Sequence, residues 1–217
     1  MFFNIFKKKQ LKTAQFINEL YAKLNNCHSL KEISDISISF LSQNLSVSTG
    51  LFYILDNQNK QLNLSATYNI SAKNLRFNID LEDSMFIDSL QNKNIKIFNN
   101  IENLESKFNI FSPYGMKMAI IPILDEYKNI IAVSQFIYMD SLENYNDISD
   151  VLNIIAEHII KYQKNKENKN YFNLLNKYII TSTTNKDGII NFASDAFCNV
   201  SGYTKLELIG KSHNILK

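Results

Sequence analysis

The residues of this sequence with most chemistry in them are three histidines, His28, His158 and His213, and two cysteines, Cys27 and Cys198. Thiol and metal chemistry needs such residues gathered at short, regular spacings. Here the cysteines lie far apart and belong to no ligand motif, so neither a disulfide framework nor a zinc site is indicated. Reduced thiols are the expected state. A haem would need an inward-facing histidine, but His28 falls in a turn, His158 on a predicted helix and His213 in the C-terminal tail. Cys198 sits on a predicted short helix and reads as a small core residue. There is no Gly-rich phosphate loop, no Ser-His-Asp arrangement and no pair of catalytic carboxylates. No enzyme activity is therefore expected within this chain, and no cofactor is named by its residues. Binding is the chemistry left to look for.

Composition narrows the partners. The 217 residues carry 23 basic and 21 acidic side chains, a net charge of +2, which sets up no strong field toward nucleic acid. Hydrophobic content of 45% with 15 Phe and 11 Tyr supports a packed core. No apolar run approaches the ~20 residues needed to span a bilayer. The opening Met1-Phe2-Phe3-Asn4-Ile5-Phe6-Lys7-Lys8-Lys9 has the reverse order of a signal peptide and is too short for one. Residues 1–10 read as a tail, and a soluble, cytoplasmic protein is expected.

The elements that must position any binding site follow from periodicity. Ile17, Leu20, Tyr21 and Leu24 fall on one helical stripe. Asn25–His28 breaks it, and Ser29-Leu30-Lys31-Glu32 has the spacing of a capping box for a second helix that buries Ile33, Ile36, Phe40 and Leu41. After Gly50, Leu51–Leu55 is a dense strand and Asp56–Lys60 a hairpin turn. In the returning strand, Leu62, Leu64, Ala66 and Tyr68 alternate with polar residues, which predicts one wet face. Leu81–Leu90 reads as a helix, Ile95–Phe98 as a strand and Asn99–Phe111 as a long polar loop. Met118–Leu124 and Ile130–Tyr138 form a second hairpin around Asp125–Asn129, and a closing helix starts near Asp147.

This plan resembles a GAF domain, a sensory fold with an antiparallel sheet, the terminal helices on one face and loops covering the other. The block Ile120-Ile121-Pro122-Ile123, its turn, and Ile131-Ala132-Val133 are most similar to the family's last two core strands, with Asn129-Ile130 where a Gly is usual. The resemblance implies a pocket beneath the Leu81–Leu90 helix and the Asn99–Tyr114 loop. Phe86, Phe98, Phe111, Tyr114 and Met118 are the side chains expected to face it, with plain core packing as the alternative for each. It also excludes known variants. Around Gln135–Asp150, Phe136, Asp140 and Glu143 do not make the cyclic-nucleotide signature. Cys27 is not in the pocket loops, where bilin attachment requires a cysteine. The GAF-fold methionine sulfoxide reductases use several cysteines, where this domain has one.

Ile148, Val151, Ile155 and Tyr162, with Leu152 and Ile159 beside them, run close to a heptad seam. The polar stretch Gln163–Asn170 interrupts it, and Phe172 and Leu175 resume it. A helix from Asp147 to about Lys177 would be roughly 45 Å long. It is expected to pair two copies of the chain into a homodimer.

Beyond it, Tyr178–Thr184 and Ile189–Phe192 read as a hairpin around Asn185-Lys186-Asp187-Gly188. A short helix follows, capped by Ser194 or Asp195 and stopped at Gly202, then a second from Lys205 to Ile209 after Thr204. The residues Thr184–Ile190, Asp195–Cys198 and Ser201–Lys211, the last with its Gly-Tyr and Glu-Leu-Ile-Gly-Lys, resemble the opening of a PAS domain. Asn185 and Ser194 replace the family's usual Asp and Asn. The expected fold class is therefore α+β: a GAF-like domain over 11–160, a helical linker over 161–177 and an incomplete PAS-like fragment over 178–217. Together these imply the sensory input segment of a bacterial signal-transduction protein, sensing a small molecule or partner. Its output (a histidine kinase of a two-component system, a diguanylate cyclase or a chemoreceptor domain) is not in this chain. A ligand-free structural dimerisation module is the alternative. The fragment is expected to leave apolar side chains such as Ile180, Ile190, Phe192 and Phe197 short of cover.

Overall fold

The computed structural model describes residues 2–70, 75, 77–82, 84–99, 101, 116–142 and 148–216. Helix α1 spans Phe2–Asn25, so it takes in residues expected to be a tail. Its inner stripe differs from the predicted one. Leu20 and Leu24 are buried and Phe16 stacks on Phe40 with ring centroids 3.9 Å apart, while Tyr21 is 40% exposed. Helix α2 spans Leu30–Asn44. Its Ser29 cap accepts the Glu32 N–H at 3.1 Å, but the Glu32 carboxylate accepts from the His28 N–H at 2.7 Å instead of closing the predicted box on Ser29. One orphan donor at the helix start is satisfied either way.

Six antiparallel strands follow: β1 (Thr49–Asp56), β2 (Gln61–Tyr68), β3 (Asn78–Asp80), β4 (Lys96–Phe98), β5 (Lys117–Leu124) and β6 (Ile130–Tyr138). Their order in the sheet is β3-β2-β1-β6-β5-β4. Helix α3, Ser84–Asn92, lies between β3 and β4 in sequence. The turns are built by aspartates. Asp56 accepts from the N–H groups of Gln58 and Asn59 and from the Asn59 amide, and Asp125 accepts from those of Tyr127 and Asn129. The Asn99–Phe111 loop lies, after Asn99 and except for Ile101, outside the described residues.

The alternation in β2 is not the single wet face that its sequence predicts. Phe52 pairs with Ala66 and Tyr53 with Leu64, so Ser65 is an extra residue that switches the strand's faces. Leu62 and Leu64 consequently pack on one side of the sheet and Ala66 and Tyr68 on the other. Ser65 itself donates to the Ser34 hydroxyl of α2 at 2.7 Å. Gly50 is needed where α2 crosses the sheet: a Cβ there would lie 2.7 Å from Ser42 Oγ and 2.8 Å from Ile38 Cδ1.

Helix α4 runs from Ser149 to Tyr178 without a break. With α1 and α2 it covers one face of the sheet, through Val151, Ile155, Ala156 and Ile159. The heptad-like seam of its first half is therefore used inside the chain, and is not free to pair with a second copy. The spacing is the same because any helix laid on a core repeats every three to four residues. His158 is buried here, its Nδ1 2.8 Å from the Ile154 carbonyl and its Nε2 3.3 Å from Asn25 Oδ1, with Tyr21 edge-on at 5.0 Å.

The chain forms two compact units, Met1–Tyr162 and Gln163–Lys217. In the second, strands β7 (Ser182–Thr184) and β8 (Ile190–Ala193) pair antiparallel, followed by helices α5 (Asp195–Ser201) and α6 (Lys205–Leu208) and a 3-10 turn over His213–Leu216. Strand β7 is shorter than the predicted 178–184. Its pairing begins at Ser182↔Ala193, and Tyr178 belongs to α4. Asn185 makes the turn its position requires, its Oδ1 accepting from the N–H groups of Asp187 and Ile189. Ser194 caps α5, and Thr204 with Glu207 completes a capping box on α6. The small core is Ile190, Ala193 and Leu208, with Phe197 packed against it. Ile190, expected to lack cover, is thus buried, whereas Ile180 is 58% exposed.

Candidate functional site

The face of the sheet turned away from α1, α2 and α4 is the one that α3 covers. Alternation sends Leu51 and Tyr53 of β1, Met118 and Ile120 of β5, and Val133 and Ile137 of β6 to that face. Helix α3 lies over it with Phe86 and Leu90, and Leu62, Leu75, Ile79 and Ile101 complete the buried cluster. Tyr53 meets Phe86 edge-to-face, centroids 6.0 Å apart and planes at 77°.

Of the five expected pocket residues, Phe86 and Met118 are buried in this cluster and Phe98 packs against its rim. Phe98 pairs directly with Met118 across β4 and β5, and the Lys96 ammonium sits 5.9 Å from its ring centroid. Phe111 and Tyr114 lie outside the described residues.

One residue of this face was missed by pattern reading. Gln135 is fully buried in the middle of β6, between Leu51 on β1 and Ile120 on β5. Its Nε2 donates to the Met118 sulfur at 2.9 Å, and its Oε1 accepts from the Tyr53 hydroxyl at 3.5 Å. Burial pushes the Tyr53 phenol above the ordinary tyrosine range, so it stays a protonated donor. A signal existed: Ser134-Gln135 is the one polar pair in the run Ile130–Tyr138, in a strand too apolar to have a wet face.

A cleft of about 420 Å³ lies elsewhere, at the β1–β2 turn, lined by Asn59, Lys60, Asp80, Leu81 and Glu82. None of the expected pocket residues lines it. Gln61 donates to Asp80 at 2.8 Å beside it.

Burial, and then the Glu32 charge, push the Cys27 thiol above its ordinary value, so it is protonated near neutrality. Its Sγ faces the Lys23 carbonyl at 3.6 Å. Among the described residues no group of three or more His, Cys, Asp or Glu is placed to hold a metal ion, and no helix is long and apolar enough to cross a membrane.

No family model and no curated protein matches the sequence. Solved structures do match the fold. The GAF domain of an Acinetobacter phosphoenolpyruvate-protein phosphotransferase aligns with a TM-score of 0.58 at 13% identity, over 70% of this chain and 95% of that one. The corresponding GAF domain from Coxiella burnetii gives 0.58 at 9% identity, over 72% and 96%. Residues 122–287 of a methyl-accepting chemotaxis protein give 0.53 at 13%, over 68% and 98%. A free methionine-R-sulfoxide reductase from Neisseria meningitidis, solved with its substrate, gives 0.55 at 9%, over 70% and 93%. At these identities the likeness is one of fold. The chain is α+β with a GAF-like antiparallel sheet, as its sequence predicts.

Proposed function

We propose that this chain is a sensory, regulatory segment of a bacterial signal-transduction protein: a GAF-fold domain over 11–160, a helical linker over 161–177 and a PAS-like fragment over 178–217. The observation that carries the reading is α4. One helix of 30 residues contributes Val151, Ile155 and Ile159 to the core of the first unit and Phe172, against Phe192, to the second. A small molecule bound on the α3 side of the sheet would alter the packing of the strands against which α4 is laid. The helix then passes that change to an output such as a histidine kinase, a diguanylate cyclase or a chemoreceptor domain. That a chemotaxis protein carries a segment of this fold supports the reading. The catalytic alternative of the Neisseria protein is disfavoured, because Cys27 is the one cysteine of the first unit and its thiol is held protonated.

A homodimer through α4 is part of the proposal. With Val151, Ile155 and Ile159 committed to the chain's own core, the available surface is Tyr171, Leu174, Leu175 and Tyr178. These fall at i, i+3, i+4 and i+7 and are each at least 41% exposed. The second reading, a dimerisation module without a ligand, is favoured by one observation. The α3-side residues Tyr53, Phe86, Met118 and Ile120 are all 2% exposed or less.

Thermal unfolding against a library of small metabolites separates the two readings. Ligand-dependent stabilisation, which grows as RT ln(1 + [L]/Kd), supports sensing. Its absence across charged and uncharged compounds, with a dimer in sedimentation, favours the structural module. Leu174→Glu is expected to convert that dimer to monomer, and an unchanged mass refutes pairing through this stripe.

A further inference from the structure

The carboxamide of Gln135 has two donors and two acceptor lone pairs, and burial has removed water from all of them. In return it has a thioether, a weak acceptor, and a phenol at the outer limit of hydrogen-bond distance. Nothing about the fold requires a polar group at that point. Leu51 and Ile120 flank it in the ladder, and Val133 and Ile137 precede and follow it on the same face. Such a residue weakens the packing around it. Local conflict of this kind is what binding sites keep and cores discard. We propose that Gln135, with Tyr53 beside it, is the recognition point of the α3-side site. Its ligand is an uncharged, mostly apolar molecule presenting one N–H next to one C=O, as in a lactam or a nucleobase edge.

The class follows from the surroundings. A carboxamide offers a donor and an acceptor side by side, and its complement is a donor–acceptor edge of the same geometry. The Tyr53 hydroxyl can serve the same carbonyl. The described surroundings of Gln135 favour an uncharged ligand. Among the described residues no Asp, Glu, Lys or Arg is buried, and the buried His158 belongs to the helix-covered face. An ion placed among these buried side chains would have no buried charge to pair with among the described residues. Met118 makes the site adaptable: its unbranched side chain can leave Gln135 Nε2 and repack as the ligand's carbonyl arrives.

This inference rests on the sensory reading, and its test is built to fail separately. Two measurements use the full chain. Gln135→Met keeps the volume and removes the polar atoms. It is expected to raise the melting temperature by about 2–4 °C, the change that follows from relieving a poorly paired buried group in a chain of this size. A melting temperature below wild type would make the carboxamide a structural group and overturn the inference. In the second measurement, the side-chain NH2 resonances of Gln135 are identified by their loss in Gln135→Met and followed during titration of wild type. With millimolar 2-pyridone they are expected to shift, while 1-methyl-2-pyridone, which lacks the N–H, leaves them in place. Equal shifts with both compounds, or none with either, overturn the proposed ligand class. Stabilisation of wild type and Gln135→Met to the same extent by some other metabolite would keep sensing and remove Gln135 from it.

Discussion

Replacing Gly50 by alanine tests the contact on which the helix-covered face depends. The added Cβ would stand 2.7 Å from Ser42 Oγ and 2.8 Å from Ile38 Cδ1, distances at which something must move. Two effects oppose each other. Losing a glycine removes unfolded-state entropy and favours the variant by about 0.4–1 kcal/mol. Overpacking a filled core costs about 1–3 kcal/mol. The second should win, because both neighbours are fully buried and have no solvent to swing into. A net loss of about 1–2 kcal/mol is expected, which lowers the melting temperature by about 2–8 °C. Ser42→Ala supplies the control. Its hydroxyl is buried and has no hydrogen-bond partner among the described residues, so removing it should be neutral or stabilising. Part of the clash disappears with it, so the double variant should be more stable than the sum of the singles by about 0.5–1.5 kcal/mol. Urea unfolding of all four proteins measures the cycle. A Gly50→Ala protein as stable as wild type, or a coupling of zero, would refute the packing argument.

Asp56 should titrate below the ordinary aspartate range, because the Asn59 side chain, then the Asn59 and Gln58 N–H groups, bond its charged form. A carboxyl with a depressed folded-state pKa stabilises the fold above its unfolded value, and that contribution disappears as pH falls through the folded one. Asn59→Gly should therefore move the Asp56 carbon resonance midpoint upward, and an unchanged midpoint contradicts the turn. Amide exchange should be faster over 178–216 than in β1, β5 and β6, since Ile179, Ile180, Val200, Leu206 and Ile209 are exposed around a core of three residues; equal protection would sink this. Asn176 donates to the Asp195 side chain at 2.6 Å and accepts the Asp195 N–H at 3.1 Å. Asn176→Ala should accordingly speed exchange at α5 and leave the six-stranded sheet unaffected.

What the sequence disclosed depended on how local each signal was. Caps and turns were legible, since Ser29, Asp56, Asn185, Ser194 and Thr204 act on backbone within a few residues of themselves. The switch of faces in β2 was not, because Ser65 looks like any other polar residue of an alternating strand until its partner strand is known. Strand β3 escaped notice because its three residues carry a single buried side chain, Ile79. The α4 seam was visible, but periodicity cannot say whether a stripe meets its own sheet or another copy. Phe86 and Met118 stood out as large apolar residues of a predicted helix and strand, and both are buried. Gln135 did not, since its meaning depends on being dry, and dryness is set by β1, β5 and α3 together.

The order of the strands also bears on how the chain reaches its native state. The central ladder joins β1 to β6, with Thr49 opposite Ile137, so the sheet's two middle strands are among the most distant in sequence. The β1–β2 and β5–β6 hairpins close over short turns and can form early; the ladder that unites them must bring together segments about 80 residues apart and bears that loop-closure entropy. A nascent chain therefore holds β1 with an unpaired edge until residue 138 is made. Both faces of the sheet gain their full cover only after that closure. Folding should accordingly be slow for its size, and a chaperone that shields the β1 edge would help more than one acting on the C-terminal unit.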